Sequence, residues 1–102
     1  MRTPLEILES PIIARVGEGV NWELDTSPYG GSPTDMTVEV VNGLGVDVTA
    51  TTMSNTSPTA FGNLIYLPTF QPMTKGTYVL TIQFSNMHFA PARPFVRIEV
   101  EP

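Results

Sequence analysis

The sequence predicts an all-β protein, an antiparallel β-sandwich of seven or eight strands built by residues 1–102 as one domain. Three observations predict it. Apolar and polar residues alternate with period two through several short segments, and turn clusters recur about every ten residues, the spacing of a sandwich or barrel. The composition favours turns, with 10 Pro and 8 Gly, and it exposes Thr, Ser and Asn in place of charge. Only 15% of residues are charged, against a typical ~25%. The apolar content of 41% sets the chain apart from polar disordered tracts, and a chain of 102 residues buries roughly 60–70% of its unfolded surface, enough for one core.

The elements follow in order. A first strand is expected at Leu5–Leu8, kinked at Ser10-Pro11 and resumed at Ile12–Val16; a proline is tolerated there on an edge strand, where no ladder bond is lost. Gly17-Glu18-Gly19 turns the chain. In Val20–Asp25, Val20, Trp22 and Leu24 take one face and Asn21, Glu23 and Asp25 the other. Residues 26–35 (TSPYGGSPTD) read as a loop. Met36–Val40 points Met36, Val38 and Val40 inward. Asn42-Gly43-Leu44-Gly45 reads as a hairpin turn, because Asn and Gly accept positive φ at little cost. A fourth strand is expected at Val46–Thr51, with Val46, Val48 and Ala50 opposed to Asp47, Thr49 and Thr51.

A second loop, Thr52–Gly62, precedes a strand over Asn63–Phe70, where Leu64–Leu67 is apolar at consecutive positions and either face can be the inner one. Thr77–Ser85 aligns Tyr78, Leu80, Ile82 and Phe84. After a last loop, Asn86–Pro94, the strand Phe95–Glu101 turns Val96, Ile98 and Val100 in and Arg97, Glu99 and Glu101 out. No segment has a periodicity that predicts a helix.

Charge and composition exclude several functions. The net charge is −5, and the five bases (Arg2, Arg15, Lys75, Arg93, Arg97) form no cluster; phosphate neutralisation needs one, so neither nucleic acid nor an anionic membrane is an expected partner. The chain has no cysteine, which removes disulfides, thiol catalysis and thiolate metal sites. Glu6 and Glu9 interrupt the apolar start, so it does not read as a signal peptide, and synthesis in the cytoplasm is expected. No apolar run approaches the ~18 residues of a membrane span.

Lys75-Gly76-Thr77-Tyr78-Val79-Leu80-Thr81-Ile82 resembles the penultimate strand of immunoglobulin-like sandwiches. In that family a turn leads into a tyrosine whose hydroxyl bonds back to the backbone while its ring joins the core. The resemblance implies this corner role for Tyr78 and puts Leu80 where antibody domains carry a cysteine. With no disulfide pair, and with Trp22 on the second strand rather than the third, the likeness is to bacterial and viral domains of this type. Val46-Asp47-Val48-Thr49-Ala50, Gly62-Asn63-Leu64-Ile65-Tyr66-Leu67-Pro68 and Gly76-Thr77-Tyr78 resemble short immunoglobulin-like proteins of tailed bacteriophages. That resemblance implies a virion accessory protein that contacts a capsid or tail protein, or copies of itself. A carbohydrate- or host-surface-binding adhesion module at a bacterial cell surface is the alternative.

No catalytic, cofactor or metal site is expected. His88 is the single histidine, and nothing near it in sequence has the spacing of a triad or a zinc site. Asp25, Asp35 and Asp47 are scattered, unlike the ligands of a contiguous calcium loop. Asn55-Thr56-Ser57 matches a glycosylation sequon, read as chance without a secretory signal. Three places are candidate contact surfaces. Met87-His88-Phe89-Ala90-Pro91 is apolar where loops are normally polar, and Phe89 either binds a partner or caps the open end of the core. Tyr29 poses the same question in its own loop. Leu5, Ile7 and Leu8, within residues 1–11, form either an edge strand of the domain's own sheet or an arm that adds to a neighbour's sheet. A glycan platform would draw on Tyr29, Phe61 and Phe89.

Overall fold

Two β-sheets share one apolar core. The computed structural model describes residues 5–6, 12–55, 57–88 and 91–102; the expectations for Ile7, Leu8, the kink at Ser10-Pro11 and Phe89 lie outside them. The larger sheet contains β1 (Leu5–Glu6), β2 (Ile12–Arg15), β4 (Thr34–Asn42), β7 (Gly76–Ser85) and β8 (Pro94–Glu101). Its order is β1-β8-β7-β4, with β2 also on β8. The smaller contains β3 (Glu23–Asp25), β5 (Thr59–Phe61) and β6 (Leu64–Tyr66), in the order β3-β6-β5.

Period-two alternation builds the larger sheet. Tyr78, Leu80, Ile82 and Phe84 of β7 are buried, as are Val96, Ile98 and Val100 of β8 and Val38 and Val40 of β4. The registers Val40↔Leu80 and Leu80↔Val96 lay these residues side by side on one face. The smaller sheet answers with Leu24 and Ile65, and Leu67, Phe70 and Met53 complete the core. The Leu64–Leu67 ambiguity resolves with Ile65 and Leu67 inward and Tyr66 outward. Phe70 ties the layers together: it lies 5.4 Å from the Trp22 ring and stands edge-on to Tyr78 at 5.9 Å. The Tyr78 hydroxyl donates to the Thr74 carbonyl at 2.6 Å, so the buried phenol keeps a partner while its ring fills the core.

Four expectations are corrected. The sandwich is not wholly antiparallel: β1 and β2 both run parallel to β8, because the first and last strands meet along the same sheet. The strand expected at Val46–Thr51 is replaced by one bridge, Val41↔Asp47, and a helical turn, α1 (Thr49–Thr52). Asp47 Oδ1 accepts from the Thr49 amide at 2.9 Å and from Thr49 Oγ1 at 2.6 Å, a local bond that competes with extended pairing. Thr49 Oγ1 in turn accepts from the Val40 amide at 2.8 Å and so covers an edge donor of β4. A second helical element, one 3₁₀ turn, occupies Ser27–Tyr29 inside the expected loop. Finally, Thr52–Gly62 is not all loop, since it contains the edge strand β5, whose three residues are all exposed.

Candidate functional site

Three loops converge at one end of the sandwich: the loop after β3, the β5–β6 turn at Gly62-Asn63, and the loop after β7. Local chemistry shapes the first. Asp25 Oδ1 accepts from the Ser27 amide at 2.9 Å, an Asx-type bond that starts the 3₁₀ turn. Gly30 and Gly31 then take φ of +104° and +69°, conformations that are strained for other residues. Ser27 also holds the exposed Asp25 carboxyl below its ordinary range, first through its backbone amide and then through its hydroxyl.

Two asparagines fasten the loops together. The Asn63 backbone carbonyl accepts from the Thr26 amide at 2.8 Å and from Thr26 Oγ1 at 2.6 Å. Its side-chain oxygen accepts from the Ser32 amide at 3.2 Å. Asn86 Nδ2 donates to the carbonyls of Tyr29 at 3.0 Å and Gly31 at 2.9 Å, and Asn86 Oδ1 accepts from the His88 amide at 2.9 Å. The packing is close: a β-carbon on Gly30 would overlap the His88 imidazole, and one on Gly31 would overlap the Asn63 side-chain amide. Loops crosslinked this way present their exposed side chains from a fixed frame, which lowers the ordering cost of binding.

On this frame the candidate residues separate. Met87 is 91% exposed and Phe61, which ends β5 beside the Gly62-Asn63 turn, is 80% exposed. His88 is exposed. Tyr29 turns inward instead, packing on the core edge-on to Phe84 with ring centroids 5.8 Å apart. Of the first-strand candidates, Leu5 is described only as a backbone partner of Pro94. Trp22 is half-buried against the core, and Tyr78 and Leu80 lie within it. The loop's apolar run pointed to Met87. The asparagine clasp was missed at the sequence level, since a loop Asn gives no sign of which distant carbonyl it will meet.

At the opposite end a cleft of about 580 Å³ lies between the Asn42–Leu44 turn, α1 and Met73–Tyr78. Leu44 and Met73 stand exposed on its rim. Lys75 is its one charged lining residue, and the Tyr78 hydroxyl is held by Thr74. Among the described residues, no three His, Cys, Asp or Glu side chains group closely enough to hold a metal ion. No protein-family model matches this chain, and no curated protein matches it either.

Proposed function

We propose that this chain is an immunoglobulin-like, non-enzymatic binding domain that acts through its three-loop end by protein–protein contact, as a structural accessory protein of a phage virion. The observation that carries the contact surface is the exposure of Phe61, at the end of β5, and of Met87, in the loop after β7, beside loops stitched by Asn63 and Asn86. Large apolar side chains on a rigid, mostly neutral frame suit a protein surface, where aromatic residues and Met are enriched.

The immunoglobulin-like assignment draws on the strand order. The succession β8, β7, β4 in one sheet, facing β3, β6 and β5 in the other, supports this reading by its likeness to the three-strand groupings of that fold, although β1 and β2 lie on β8 and not beside β3. The Tyr78–Thr74 bond is of the kind its tyrosine corner makes. In variable domains of that fold the recognition loops lie at one end of the sandwich, and here the three fastened loops do too. The virion setting rests on the resemblance to short phage proteins.

A stacking platform for sugars would need several exposed rings. The inward turn of Tyr29 removes one of its three suppliers, which favours the protein partner over the glycan.

Quantitative mass spectrometry of purified particles tests the setting. Many copies of the chain per particle are expected, and its absence from clean particles would remove the virion reading.

A further inference from the structure

We propose that Asn42 is a site of self-modification, converted to aspartate or isoaspartate through attack of the Gly43 backbone nitrogen on its side-chain amide. Asn42-Gly43 is the one Asn-Gly pair in the chain. Ring closure needs the following nitrogen to reach Asn Cγ, an approach that a β-carbon on the next residue hinders and glycine leaves open.

The fold adds two features to the bare dipeptide. Asn42 Oδ1 accepts from the Leu44 amide at 2.9 Å and from the Val46 amide at 3.0 Å. The bond to Leu44 closes a loop of atoms containing the Gly43 nitrogen and thereby keeps Cγ on the side of its attacker. Together the two N–H groups polarise the amide carbonyl and stand ready for the negative charge its oxygen gains on attack, as donors in an oxyanion hole do. Gly43 is exposed to the hydroxide that must take its proton.

The step balances without an oxidant or reductant. The Gly43 nitrogen loses its proton and bonds to Asn42 Cγ, the Cγ–Nδ2 bond breaks, and ammonia leaves. Water then adds across either carbon–nitrogen bond of the five-membered imide. Opening on the backbone side inserts a methylene into the main chain at the end of β4, where the Asn42 amide bonds to the Val46 carbonyl at 3.0 Å. Both products add one negative charge at the mouth of the cleft that Asn42 and Lys75 line.

Gly43 itself is not required by the turn. Its φ is not positive, and a β-carbon built on it would come no closer than 3.7 Å to any neighbour, the Thr77 carbonyl oxygen. Gly43→Ala is therefore a folded control. The test incubates the full chain in mildly alkaline buffer, native and in urea, beside Gly43→Ala, followed by intact mass and peptide mapping that separates Asn, Asp and isoaspartate. Expected are the mass gain of an amide-to-acid exchange located at residue 42, a native rate equal to or above that in urea, and a several-fold slower reaction in Gly43→Ala with unchanged circular dichroism. A native chain that reacts more slowly at 42 than the unfolded one overturns the proposal. So does a Gly43→Ala chain that reacts at the wild-type rate, or conversion at Asn55 or Asn86 ahead of Asn42.

Discussion

The side-chain amide of Asn86 donates to the Tyr29 carbonyl at 3.0 Å, so the loop after β7 is fastened to the loop after β3 by the same side chain whose Oδ1 accepts from the His88 amide within its own loop. The second proton of the same amide reaches Gly31. One side chain thus sets the relative position of two of the three loops that frame Met87.

Asn86→Asp removes both donors and sets a carboxylate against two carbonyl oxygens. Each bond is worth about 0.5–1.5 kcal/mol net, so a loss of about 1–3 kcal/mol is expected. Urea titration measures it, and faster amide exchange confined to residues 26–32 and 86–88 locates it.

Gly30→Ala is expected to destabilise in the same region by about 1–3 kcal/mol, because it combines a left-handed backbone with overlap on the His88 ring. Gly43→Ala, with neither problem, is expected within about 0.5 kcal/mol of wild type. Comparing the two denaturation midpoints checks the contrast directly.

Removing the hydroxyl in Tyr78→Phe leaves the ring contact with Phe70 and takes away the bond to Thr74. The expected cost is about 0.5–1.5 kcal/mol with no change in near-ultraviolet circular dichroism. Phe84→Ala empties a fully buried site and is expected to cost about 3–5 kcal/mol.

Asp47 supplies a pH dependence. The Thr49 side chain, then the Thr49 amide, hold its carboxyl below the ordinary value of 3.8. Folding therefore weakens proton binding. Its contribution is fully present above the ordinary carboxylate value and is lost as pH falls through the lower folded-state value. In Asp47→Asn the acceptor oxygen remains but the titration does not. The stability of this variant is expected to fall less between neutral pH and about pH 3 than that of wild type, as read from urea midpoints at each pH.

The sequence revealed the strands whose one face is buried along their whole length. Tyr78–Phe84 and Val96–Val100 alternate without interruption because each second residue faces the core. β5 left no such trace, since Thr59, Ala60 and Phe61 are all exposed. Val46–Thr51 alternates like a strand, yet its fate was decided by Asp47 and Thr49 bonding to each other and to nearby backbone, a competition that periodicity does not register. The parallel placement of β1 and β2 on β8 depends on partners some ninety residues apart (Ile12 with Ile98), which no local pattern encodes. At the loop end the apolar Met87 was legible; the inward turn of Tyr29 depends on the distant Phe84 and was not.

Exposed Phe61 and Met87 form the centre of the proposed contact. Phe61→Ser and Met87→Ser each change a solvent-facing side chain, so the double variant is expected to fold with a midpoint within about 1 kcal/mol of wild type.

The most direct measurement is rebinding. Particles produced without this chain are mixed with purified wild type or with the Phe61→Ser, Met87→Ser double variant, and bound copies are counted after sedimentation. The account predicts saturable binding of wild type and at least a tenfold weaker affinity for the folded double variant, a difference of about 1.4 kcal/mol. Equal binding of both chains, or no binding of wild type at saturating concentration, would contradict it.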